Sequence, residues 1–216
     1  MVKVKVCGIT NMQDATWAVS LGADYIGFNF YSKSPRKVSM KMAGDVISRI
    51  PPLCEPVGIF VNEEDIGVIV QAIEKTGIKL VQLHGKEQPE YCQQVKERVQ
   101  DKGTKIIKAF RIKGPRSLAN LQRYTDIVDY FLLDAYVPGV EGGTGEVFNW
   151  DVALTARKYN KPIFLAGGLT PENVAEAART AQPFGVDSAS GIERLPRRKD
   201  YDKLKDFIVN AKSVKI

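Results

Sequence analysis

Apolar positions along the chain switch between two periods, and the switch repeats from end to end. Short branched-apolar and aromatic runs at residues 3–6, 25–30, 57–61, 80–83, 105–110, 130–133, 162–165 and 186–188 read as strands. Each is followed by a stretch with helical spacing, at 12–21, 39–50, 63–75, 89–99, 117–123, 151–158, 171–181 and 201–209. Gly22 and Gly77 stand where the first and third helices stop, Pro51-Pro52 closes the second, and Pro171 suits a first helical turn. Most of the strands lack a polar face, as expected when both faces are covered. Helices between consecutive strands imply parallel pairing.

Eight strand–helix units predict an α/β protein built as a single (β/α)8 TIM barrel, with residues 1–216 forming one domain. The rival is an open doubly wound sheet, which commonly carries a glycine-rich phosphate loop after its first strand. Here that position reads Val6-Cys7-Gly8-Ile9-Thr10, and the glycine-rich turns come late in the chain.

Composition narrows the function classes. There are 31 Lys+Arg against 25 Asp+Glu, giving a net charge of +6 that favours an anionic small molecule. The basic residues are scattered, which argues against nucleic acid. No apolar run reaches the roughly 18 residues needed to cross a membrane. The N-terminal alternation of charged and apolar residues is a strand pattern and not a secretory leader, so a cytoplasmic location is expected. Cys7, Cys54 and Cys92 are widely spaced and His84 is the single histidine, so neither a disulfide framework nor a metal site is expected.

In a TIM barrel the active site lies at the C-terminal ends of the strands, so residues just past each strand are the candidates. Three glycine turns fall there: Gly142-Gly143-Thr144-Gly145 after the sixth strand, Ala166-Gly167-Gly168-Leu169 after the seventh, and Ser188-Ala189-Ser190-Gly191 after the eighth. Such turns present free amides to phosphate oxygens, and a short helix opening at Gly191-Ile192-Glu193 would add its own. Cys7 lies at the mouth of the first strand, where a nearby positive charge would favour the reactive thiolate. Cys54 and Cys92 read as buried structural residues. Asp134 closes the sixth strand, and a carboxylate facing Cys7 across the mouth would make an acid/base pair. Asp187 is a second carboxylate at a strand end. Arg36, in Ser34-Pro35-Arg36, offers a fork that fits a carboxylate. His84 either meets a ligand or ties a loop.

Taken in order, these motifs resemble the phosphoribosylanthranilate isomerase family over nearly the whole chain. The carriers are Lys5-Val6-Cys7-Gly8-Ile9-Thr10, Gly27-Phe28-Asn29-Phe30, Ser34-Pro35-Arg36, Gln82-Leu83-His84-Gly85, Leu133-Asp134-Ala135, and the three glycine turns ending in Ser190-Gly191-Ile192-Glu193. The resemblance implies a cofactor-free barrel of tryptophan biosynthesis. Its reaction would convert N-(5-phosphoribosyl)anthranilate into 1-(2-carboxyphenylamino)-1-deoxyribulose 5-phosphate by an Amadori rearrangement. By the same resemblance Cys7 is the general base and Asp134 the general acid. Arg36 holds the anthranilate carboxylate, and His84 and Asp187 are further substrate-binding candidates. The backbones of Gly143, Thr144, Gly167, Gly168, Ser190 and Gly191 form the phosphate cradle. The chain departs from the family pattern at Ser188, where an apolar residue is commoner, at Asn149, and in the basic stretch from Arg194 to Asp200.

Two other functions fit the same barrel: another sugar-phosphate isomerase or epimerase, and a sugar-phosphate-binding protein without catalysis. A bifunctional enzyme acting on a bisphosphate would need a second phosphate site, which the motifs do not supply. The sequence leaves the assembly open between a monomer and a homodimer.

Overall fold

A computed structural model describes residues 1–112, 114–134 and 150–215. Eight parallel strands close into a barrel, with β1 (Lys3–Cys7) pairing both β2 (Tyr25–Asn29) and β8 (Gly185–Ser188). Between them run β3 (Glu55–Phe60), β4 (Leu80–Leu83), β5 (Lys105–Arg111), β6 (Tyr130–Asp134) and β7 (Ile163–Ala166). The outer layer holds α1 (Met12–Ser20), α2 (Met40–Ile47), α3 (Ile66–Thr76), α4 (Pro89–Val99), α5 (Trp150–Thr155), α6 (Val174–Ala181) and α7 (Tyr201–Lys212). Among the described residues no helix is long and apolar enough to cross a membrane.

Alternation along each strand sorts side chains into two cores. Val4, Val6, Val81, Leu83, Phe131, Leu133 and Val186 face outward against the helices. Tyr25, Val57, Leu80, Ile107, Leu132 and Phe164 fill the barrel interior. The same parity sends Lys5 and Cys7 of β1, Gln82 of β4 and Asp134 of β6 inward, toward the mouth. The charged/apolar alternation of the first strand is therefore inverted relative to a solvent-facing sheet. Its valines meet the helices and its polar residues meet the inside of the barrel.

Several elements differ from expectation. The segment after β5 is a 3-10 helix, Pro115–Tyr124, not an α-helix. Its buried residues are Leu118, Leu121 and Tyr124, spaced by three, which suits three residues per turn. The seventh expected helix begins at Val174, not Pro171, because the Asn173 side chain takes the Thr170 N–H and closes a turn first. The second ends at Ile47, before the prolines. α5 gives way to a 3-10 turn at Ala156–Tyr159. The short extra helix is a single turn, Ser190–Ile192. It leads into an unforeseen antiparallel ribbon, β9 (Glu193–Leu195) and β10 (Arg198–Lys199).

Candidate active site

Cys7 ends β1 partly exposed at the mouth. Two residues below it on the same face lies Lys5, fully buried, whose ammonium donates to Asp187 Oδ1 at 2.9 Å. The register explains the pairing, since Lys5 and Asp187 are direct neighbours across β1 and β8. Asp187 is thus buried and held by Lys5 instead of standing open at the mouth. Burial pushes the Cys7 thiol above its usual range, while the Lys5 and Lys199 ammonium groups pull it back toward ionisation.

Lys199 reaches Cys7 from the other side. Its buried ammonium donates to the carbonyls of Cys7 (2.6 Å) and Ala189 (2.9 Å) and to Glu193 Oε1 (3.3 Å). The basic stretch is therefore a strap. Arg197 donates to the carbonyls of Pro35 and Lys37, and Thr10 donates to the Arg197 carbonyl. One ribbon so ties together the loops after β1, β2 and β8.

Arg36 is anchored by that strap. Its Nε and Nη2 grip the two oxygens of Glu193 at 2.8 and 2.6 Å. This fork occupies one edge of the guanidinium and leaves Nη1 with no hydrogen bond among the described residues. The stem of Arg36 lies over Gly8, where φ is +77° and a Cβ would sit 2.4 Å from Arg36 Cδ. Only glycine suits both the backbone and the space.

Asp134 ends β6, three strands around the barrel from β1, partly exposed. Its Oδ2 faces His84 Nε2 at 3.3 Å, and His84 Nδ1 is met by Gln82 at 2.6 Å. His84 thus touches the candidate acid directly. Gln82 escaped the reading of the sequence, although a lone polar residue in Leu80-Val81-Gln82-Leu83 was the available signal. Lys5, Glu193 and Lys199 escaped it too. Beside His84 a cavity of about 710 Å³ opens over β3 to β5, bordered by Tyr31, Asn62, Phe110, Arg111 and Arg116 among others.

The last two strands carry the glycine turns. Gly167 and Gly168 follow β7 with φ of +89° and +66°. Ser188, the departure from the family pattern, buries its hydroxyl and donates to the Leu169 carbonyl at 2.8 Å. Gly191 packs against the same carbonyl so closely that a Cβ would lie 2.1 Å from its oxygen. The turn holding Gly167 and Gly168 and the turn holding Ser190 and Gly191 are thereby locked side by side. Gly143 and Thr144 lie outside the described residues, as does Asn149.

The assembled geometry brings the Cys7 thiol at the end of β1, the Asp134 carboxyl at the end of β6, the glycine turns after β7 and β8 and the anchored Arg36 to one end of the barrel. A family model described as N-(5'-phosphoribosyl)anthranilate (PRA) isomerase matches residues 4–210. An N-(5'-phosphoribosyl)anthranilate isomerase of Pelobacter propionicus is 46% identical over 215 residues, covering 100% of this chain and 98% of its own length. The fold also matches a crystal structure of phosphoribosyl anthranilate isomerase in complex with reduced 1-(o-carboxyphenylamino)-1-deoxyribulose 5-phosphate. There the TM-score is 0.87 and the identity 38%, over 99% of this chain and 100% of the other. Monomers generated from the dimeric Thermotoga maritima enzyme match with a TM-score of 0.85 and 38% identity, again over 99% and 100%.

Proposed function

From the premise that this chain belongs to the N-(5'-phosphoribosyl)anthranilate isomerase family, we propose that Cys7 and Asp134 divide its proton transfers between them. The chain is an isomerase of tryptophan biosynthesis, and it rearranges N-(5'-phosphoribosyl)anthranilate to 1-(2-carboxyphenylamino)-1-deoxyribulose 5-phosphate. That membership decides against a barrel that only binds sugar phosphates. The observation that carries the division of labour is placement. A thiol at the end of β1 and a carboxyl at the end of β6 both point inward at the same mouth.

In this reading Asp134 gives a proton to the ribose ring oxygen as the C1–O bond breaks. The anthranilate nitrogen lone pair then forms the C1=N bond. The Cys7 thiolate removes the C2 proton, and that electron pair forms C1=C2 while the C=N pair returns to nitrogen. The resulting enaminol becomes the ketone as a proton adds at C1 and the hydroxyl proton at O2 leaves. Atoms and charge balance without an external oxidant. The neighbouring ammonium groups of Lys5 and Lys199 favour the thiolate that the second step uses.

The substrate's two anionic ends match the two flanks of the site. The amides around Gly167, Gly168, Ser190 and Gly191, with those of Gly143 and Thr144, are assigned to the phosphate. The remaining edge of Arg36 is assigned to the anthranilate carboxylate, with Glu193 holding the guanidinium in place. Asp187 acts through Lys5, as a positioning residue beneath Cys7. His84 serves Asp134. A homodimer is proposed on the likeness to the dimeric Thermotoga maritima enzyme.

The test follows loss of N-(5'-phosphoribosyl)anthranilate fluorescence on adding the purified protein. Arg36→Lys keeps the charge and loses the fork. It is expected to raise KM about ten- to a hundredfold, the worth of one hydrogen bond to a charged group, with kcat changed less. An unchanged KM removes Arg36 from carboxylate binding. Gly191→Ala forces its Cβ onto the Leu169 carbonyl. It is expected to cost about 1–3 kcal/mol of stability and to weaken competitive inhibition by inorganic phosphate at least about tenfold. A phosphate inhibition constant equal to the parent's contradicts the cradle.

A further inference from the structure

Gln82 is the one polar side chain of β4, and alternation sends it into the barrel between Leu80 below and His84 above. It is 1% exposed. Its Nε2 lies 2.6 Å from His84 Nδ1, and its Oε1 has no hydrogen-bond partner among the described residues. A buried amide left half-satisfied calls for an explanation. The structure sets Nε2, not Oε1, against the ring, and an amide nitrogen can only donate, so Gln82 is the donor. His84 Nδ1 is then the acceptor, and the imidazole proton sits on Nε2, which faces Asp134 Oδ2 at 3.3 Å.

We propose that Gln82 is a positioning residue that fixes His84 as its Nε2–H tautomer, so that an N–H meets the Asp134 carboxylate left after proton donation. The inference deepens the reading of Asp134 as general acid and rests on it. When the Asp134 O–H bond breaks, the proton bonds to the ribose ring oxygen and the electron pair stays on the carboxylate. His84 hydrogen-bonds that carboxylate and transfers nothing. The opposite tautomer would set the Nε2 lone pair against the new negative charge. The unsatisfied Gln82 carbonyl is the cost of using an amide, instead of a carboxylate, beneath the ring. A carboxylate would draw the proton to Nδ1.

The experiment is nitrogen-15 NMR of uniformly labelled parent protein, paired with steady-state kinetics. The chain has one histidine, so both imidazole signals belong to His84. A protonated Nε2 and a bare Nδ1 are expected. Gln82→Met removes the donor and Gln82→Glu reverses the preference. Each is expected to lose the parent tautomer and to lower kcat about ten- to a hundredfold, the worth of a hydrogen bond to a charged group, with KM within about twofold. A parent proton on Nδ1 overturns the proposal, as does a variant whose tautomer changes while kcat does not, or whose tautomer stays. Should neither variant fold, the parent spectrum alone decides. If Asp134→Asn keeps full turnover while His84 holds the Nε2–H form, the general-acid reading fails and the tautomer assignment stands.

Discussion

Replacing Cys7 by alanine is expected to lower kcat by about 10²–10⁴-fold, the usual contribution of one general base, while KM moves only a few-fold. The substitution removes the atom that takes the C2 proton and leaves both anion-binding flanks in place. Arg36 is anchored through Glu193, and the glycine turns are locked through Ser188 and Gly191, none of which depends on the sulfur. The pH profile of Asp134→Asn checks the same residue, because that variant lacks the acid's own ionisation. The active form of the base is the thiolate, and burial raises the thiol above its usual range. The residual kcat/KM of that variant is therefore expected to climb with pH between about 6 and 8, approaching tenfold per unit. A flat profile for that variant, with Cys7→Ala still active, removes Cys7 from the chemistry.

Glu193→Ala is expected to have the largest effect on stability. Its carboxylate meets Arg36 through two hydrogen bonds and buried Lys199 through a third. Removing it leaves the Lys199 ammonium inside the protein with only backbone carbonyls. Breaking a buried pair from one side costs about 3–5 kcal/mol, or about 6–20 °C in Tm for a chain of this size. Arg36 loses its anchor in the same stroke, so KM should rise alongside. Thermal melts of Glu193→Ala and Glu193→Gln separate shape from charge. The glutamine variant keeps the packing and is expected to lose less. A Glu193→Ala melt within about 2 °C of the parent's would mean that the strap does not hold the mouth together.

The barrel was legible in the sequence because strand and helix periods alternate eight times, and the turn residues that close helices fall where the periodicity ends. The placement of Cys7 and Asp134 was legible for the same reason, since each stands at the last inward position of its strand. What escaped was made by long-range contact. Nothing near Arg36 announces that Glu193, 157 positions away, will take half of its fork. Nothing in Leu195-Pro196-Arg197-Arg198 marks a ribbon either, because its turn places Arg197 at a φ of +73°, where glycine or asparagine would have been the signal. The basic stretch read only as a departure from the family pattern, yet Lys199 is buried against the first strand, where the Cys7 carbonyl accepts from its ammonium. Asp187 read as a residue of the mouth. It does point inward, but Lys5 on the adjoining strand takes its carboxylate.

The central claim is that one thiol and one carboxyl, at two strand ends of the same barrel mouth, carry a single proton-transfer sequence. Its most direct test is kcat for Cys7→Ala, Asp134→Asn and the double variant, measured with N-(5'-phosphoribosyl)anthranilate in one fluorescence assay. Each single variant is predicted to lose at least about 10²-fold, and the double little more than the worse single, as groups acting in one unit do. A single variant that keeps more than about a tenth of the parent's kcat would contradict the assignment of that residue.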